Sequence, residues 1–173
     1  SGDITRYSIS VDLNAFRASI SDFDTPTNAN LFLADHTTYA LHDPTVEAKR
    51  NELRNGTNDY LELLRRTMIY SNSIPYKSDG RFDPAPVVIR QNHGACTEHT
   101  FVTVSILRGA GIPARYVWNY LGTEQPELNH KIAEAWLPGF GWIPMEVLAP
   151  PGRVPGTTYA HHIIWAVYDQ WAS

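Results

Sequence analysis

Apolar and polar positions follow two rhythms along this chain, and they divide it into helices first and strands second. Residues 7–13, Tyr-Ser-Ile-Ser-Val-Asp-Leu, alternate and predict a half-buried strand. Residues 22–45 are rich in Asp, Thr, Asn and His and predict a loop with short turns. Thr45 to Arg54 reads as a short helix that starts at Asp43-Pro44 and stops at Asn55-Gly56. Asn58 to Ser71 reads as a second helix, with Tyr60, Leu61, Leu64 and Met68 at helical spacing. Three prolines break residues 75–86 into an irregular loop. Gly94 to Arg108 is apolar on nearly all sides after Thr100, so a buried central helix is expected, ending at Gly109-Ala110-Gly111. Strand patterns follow at 114–121, 130–137, 142–148 and 162–168, with Pro138-Gly139-Phe140-Gly141 as a turn. Helices followed by antiparallel strands indicate an α+β domain, with helices packed on one sheet.

Composition narrows the function classes. At 173 residues the chain fits one domain. We read 46–148 as its core, 1–45 as an N-terminal strand and loop extension, and 149–173 as a C-terminal loop and strand. A net charge of −4 without a basic cluster argues against a nucleic-acid partner. No apolar run approaches the roughly 18 residues of a membrane span. The first residues carry no basic-then-apolar leader pattern, and nothing here assigns a compartment. Asn55-Gly56-Thr57 matches a glycosylation sequon, a short and unspecific match.

The single cysteine, Cys96, excludes an internal disulfide. Alone it reads more readily as a small buried hydrophobe than as a nucleophile. At a helix start, however, the helix dipole favours its thiolate. Free backbone N–H groups there can hold an oxyanion. His130 opens a strand, and a carboxylate partner would fix its tautomer and stabilise its charged form. Hairpin register decides whether Glu146 can be that partner. Pairing Leu137 with Trp142 puts Glu146 opposite Ala133, on the wrong face. Pairing Trp136 with Trp142 puts it opposite Ile132, diagonal to His130 and within roughly 7–8 Å between Cα atoms. The second register is the expected one. Glu134 lies about 13 Å from His130 along the strand, too far to orient it.

These residues resemble the transglutaminase-like superfamily of papain-related cysteine enzymes. The resemblance rests on Gly94-Ala95-Cys96, on Arg108-Gly109-Ala110-Gly111-Ile112-Pro113-Ala114-Arg115, and on His130 followed by Glu134-Ala135-Trp136-Leu137-Pro138-Gly139-Phe140-Gly141-Trp142-Ile143-Pro144-Met145-Glu146. It spans about residues 58–148. It implies a papain-like fold with a Cys96 nucleophile, a His130 base and Glu146 as the third member, where the usual pattern has Asp. It also implies an amide side chain upstream of the cysteine in the oxyanion hole, either Gln91 or Asn92. The Ala-Trp that usually follows the histidine is Lys131-Ile132 here.

The reading this supports is acyl transfer on a peptide or glutamine-type amide through a thioester, with hydrolysis favoured over transamidation. A relative that keeps the fold and binds a peptide or protein partner without turnover is the alternative. Gly94 is expected to let a substrate backbone approach closely. Trp142 is a candidate groove residue, Trp118 and Trp136 are expected in the core, and Arg115 in an ion pair. His93-x-x-Cys96-x-x-His99 has metal-like spacing, but structural zinc sites usually carry more than one cysteine, so no metal is expected. No acidic loop has calcium-ligand spacing, and no cofactor is expected.

Overall fold

A computed structural model describes residues 26–121, 129–148, 155–156 and 162–168, so the strand expected at 7–13 lies outside the described residues. Helix α1 spans Pro44–Arg54. Asp43 caps it by accepting the Thr45 N–H at 2.8 Å, and Pro44 supplies the preset backbone of the first turn. Helix α2 spans Tyr60–Ser73, with the Asp59 carboxylate accepting the Glu62 N–H at 3.0 Å. Its buried face carries Tyr60, Leu63, Leu64, Thr67 and Met68; Leu61, expected on that face, is only partly buried.

The loop expected at 75–86 ends early. A seven-residue helix, α3, spans Ala85–Gln91, and its prolines are a start signal rather than a break. Pro84 caps it and Pro86 sits in its first turn. It stops at Asn92, which adopts the left-handed conformation with φ 54°. Helix α4 spans Cys96–Gly109 and is buried from Thr97 through Arg108. It begins two residues after the expected Gly94, because Gly94 forms a parallel bridge with Tyr76 and Ala95 is extended.

Four antiparallel strands follow: β1 Ala114–Leu121, β2 Asn129–Leu137, β3 Gly141–Met145 and β4 His162–Tyr168, in the spatial order β3-β2-β1-β4. The β2–β3 hairpin takes the expected register, Trp136 opposite Trp142 and Ala133 opposite Met145. One sheet face carries Ala114, Tyr116, Ala133, Ala135, Leu137 and Met145 into the core against α4, where Phe101 and Tyr116 rings stand 5.9 Å apart. Arg108 ties the end of α4 to both neighbours, donating from Nε to Ala114 O at 2.8 Å and from NH1 to Ala34 O at 2.8 Å. The α4–sheet contact therefore fixes where the start of α4 meets the start of β2.

Candidate active site

Cys96 is the first residue of α4 and is half-buried. Its N–H has no acceptor within the helix, because the first-turn donors lack a preceding carbonyl. The turn before it is held from two sides. Lys77 N–H donates to Gly94 O at 2.8 Å, and Glu98 Oε2 accepts the Ala95 N–H at 2.7 Å. Glu98 is buried, and that burial raises its carboxyl above the usual range against the hydrogen bonds from Ala95 and Asp83.

His130 stands near the start of β2 and is hydrogen-bonded to the Cys96 thiol. Its Nε2 lies 2.7 Å from Glu146 Oε1, which leaves Nδ1 for the sulfur. Burial alone would discharge the ring. The hydrogen bonds and charges of Cys96 and Glu146 outweigh it and raise the imidazole to about 9. At Cys96 burial pushes the thiol up, but the His130 hydrogen bond and charge outweigh it. The Lys131 N–H and ammonium add to them, and the thiol ends below its ordinary value. Each partner thus favours the other's charged form, the direction that a thiolate–imidazolium pair requires.

Glu146 follows the last residue of β3 and is buried. Its Oε1 also accepts the Leu148 N–H at 3.1 Å, and its backbone carbonyl accepts Asn72 Nδ2 at 3.0 Å. One residue on, Val147 O accepts a hydrogen bond from the buried His99 at 3.2 Å. Burial lowers His99 toward the neutral ring, so Nδ1 carries the donated proton. Asn72 from α2 and His99 from α4 therefore hold the backbone on both sides of the Glu146–Val147 bond. Nothing in the sequence singled out Asn72. His99 stands out in the sequence only as a member of the metal-like His93-x-x-Cys96-x-x-His99 spacing.

The other expected site residues are committed elsewhere. Gln91 spends both amide N–H groups, on Asp83 Oδ2 and on His93 O, each at 3.1 Å, and has no donor left for an oxyanion. Asn92 is exposed and caps α3. Gly94 is buried, and a Cβ there would lie 2.9 Å from Glu98 Cβ and 3.3 Å from Val88 Cγ1, so its smallness serves packing. Trp142 is half-buried beneath the Arg115 guanidinium, 4.1 Å from the ring centroid, and edge-on to Phe32 and Trp136. It stands four residues, about 13 Å along the chain, from Glu146. Trp118 and Trp136 are half-buried rather than fully in the core. Arg115 makes the expected ion pair, with NH2 2.6 Å from Glu134 Oε2. The metal-like trio separates, Cys96 turning to His130 and His99 to Val147. Among the described residues, no three His, Cys, Asp or Glu side chains are grouped to hold a metal ion.

The model of the transglutaminase-like superfamily matches residues 40–147, more than half of the chain. Among solved structures, a candidate cysteine protease from Cytophaga hutchinsonii is similar with a TM-score of 0.62 and 20% identity, over 84% of this chain and 54% of that one. The periplasmic domain of TgpA from Pseudomonas aeruginosa, bound to ethylmercury, is similar with a TM-score of 0.55 and 23% identity, over 67% of this chain and 46% of that one. The chain thus spans about half the length of these structures, and at such identities the likeness is one of fold. No curated protein matches the chain.

Proposed function

Because the chain belongs to the transglutaminase-like superfamily, we propose that it is a cysteine acyl-transfer enzyme that hydrolyses a peptide or glutamine-type amide. The Cys96 thiolate attacks the carbonyl carbon, and the Cys96 N–H donates to the oxyanion that forms. The His130 imidazolium gives its Nδ1 proton to the leaving amine, which departs and leaves a thioester on Cys96. His130, now neutral, takes a proton from water as that water attacks the thioester. The acid product leaves, and the thiolate–imidazolium pair is restored. Glu146 keeps the ring turned with Nδ1 toward sulfur and stabilises its charge.

One observation carries this reading: a single imidazole bridges the thiol at a helix start and a buried carboxylate, with its charged form favoured. The test is to incubate the wild type and Cys96→Ala with a library of glutamine peptides and a primary amine, and to analyse the products by mass spectrometry. Cys96-dependent cleavage or deamidation is expected. A Cys96-dependent amine adduct in its place moves the reading to transamidation. No product, together with a Cys96 thiol no more reactive than free cysteine, overturns it in favour of a binding role.

A further inference from the structure

The chain has three lysines, and two of them have carboxylate partners. Lys49 Nζ lies 2.6 Å from Glu52, and Lys77 Nζ lies 3.9 Å from Asp79. Lys131 differs. Among the described residues no carboxylate lies within ion-pair distance of its ammonium, which rests 4.6 Å from the centroid of the Trp118 ring. Trp118 faces Lys131 directly across the β1–β2 ladder, and its indole N–H is fixed on Asn129 Oδ1 at 3.2 Å. The ammonium is half-buried, and that burial holds it below the ordinary lysine range against the pull of the nearby Cys96 charge. A half-buried cation seated on an aromatic face, with no carboxylate partner among the described residues, is incompletely compensated.

Its position gives that vacancy a use. Lys131 follows His130 on β2, and its own N–H is hydrogen-bonded to the Cys96 sulfur. In the resting site the thiolate offsets the ammonium. Once the sulfur is acylated its negative charge is gone, and the ammonium is left without a counter-charge. We propose that Lys131 is a specificity residue whose ammonium, seated on Trp118 beside Cys96, receives a carboxylate of the acyl donor close to the scissile carbonyl, so that acidic peptides are preferred. This rests on the acyl-transfer reading above and names its substrate class. The simpler role, in which Lys131 only lowers the thiol pKa, would speed every electrophile equally. Selection by charge would not.

Iodoacetate and iodoacetamide separate the two roles, because they are near-isosteric and differ in a carboxylate beside the reacting carbon. Both rates at Cys96 are measured in the wild type, Lys131→Gln, Lys131→Met and Lys131→Arg, with folding checked by circular dichroism. Any general effect on the nucleophile cancels in the iodoacetate-to-iodoacetamide ratio. Loss of the ammonium is expected to lower that ratio about fivefold or more, the factor one unit charge a few ångströms away supplies even in water. Lys131→Arg should keep the ratio, and Lys131→Met keeps the apolar stem on Trp118 should Lys131→Gln fold poorly. An equal ratio in the wild type and either uncharged variant overturns the proposal. The wild-type iodoacetamide rate judges the catalytic reading separately, since a rate no faster than free cysteine counts against that reading whatever the ratio does.

Discussion

Glu146 Oε1 and His130 Nε2 stand 2.7 Å apart although sixteen residues separate them, and the Pro138–Gly141 turn makes that distance possible. The hairpin sets Trp136 against Trp142, and the next in-phase positions carry Glu146 toward the start of β2. Glu146→Gln keeps the size and removes the charge. It should lower kcat by about 10²-fold or more, as loss of the orienting carboxylate does in other triads. Glu146→Asp shortens the reach and should fall between the two. Steady-state kinetics on any peptide the wild type turns over decides this. A Glu146→Gln enzyme with wild-type kcat would remove the carboxylate from the mechanism.

The pH profile follows from the same pair. His130 is raised from 6.5 to about 9, so the ring keeps the proton that the proposed mechanism gives to the leaving amine until pH passes that value. The rate kcat/KM should therefore fall on the alkaline side near pH 9. The acid limb follows loss of the thiolate, and it should lie below the ordinary thiol range because the Cys96 value is lowered. Glu146→Gln removes one support of the imidazolium and should move the alkaline limb toward lower pH. A limb that stays in place would show that Glu146 does not act on the charge of His130.

The placements of Cys96, His130 and Glu146 were legible in the sequence because local rules set each of them, whereas their roles came from the family resemblance. A glycine-bounded helix start fixes the first, a strand start the second, and a turn with alternating strands the third. The bounds of β1 and β4 follow from the same two-residue period. What escaped depends on contacts remote in sequence or on elements too short for a period. Helix α3 has only seven residues and opens on prolines that also signal loops. Asn72 reaches Glu146 O across 74 residues, and no local pattern marks it. Trp142 belongs to an aromatic and arginine stack on the sheet, which a strand pattern alone does not distinguish from a groove wall.

Gly94 tests whether the turn before Cys96 is a packing element. Gly94→Ala places a methyl group 2.9 Å from Glu98 Cβ, and backbone of α4 must shift to relieve it. The expected cost is about 1–3 kcal/mol, the usual range for overpacking. For a domain of this size that is about 2–4 °C in Tm per kcal/mol. Because Glu98 also caps the Ala95 N–H, the shift should reach the thiol and slow iodoacetamide alkylation. Thermal unfolding and alkylation measured together check this. An unchanged Tm would mean the turn has slack, and Gly94 would return to consideration as a substrate-facing residue.

Asn72→Ala separates orientation from simple stability. The side chain donates to Met68 O and Glu146 O, at 2.8 and 3.0 Å, so its loss leaves the part-buried Glu146 carbonyl without that donor. About 1–3 kcal/mol of stability should go with it. Were that all, kcat per folded molecule and the alkaline limb would both stay in place below the melting range. Release of the Glu146 backbone should instead lower kcat and move the limb down, in the direction set by Glu146→Gln but by less. Gln91→Ala is the matched comparison, since its amide is spent on Asp83 and His93 O. Its kcat should stay near the wild-type value, whereas loss of a true oxyanion donor costs about 10²–10³-fold. A large kcat loss in Gln91→Ala with the Asn72→Ala enzyme unaffected would reverse both assignments, placing Gln91 at the oxyanion and leaving Asn72 as a structural tie between α2 and the end of β3.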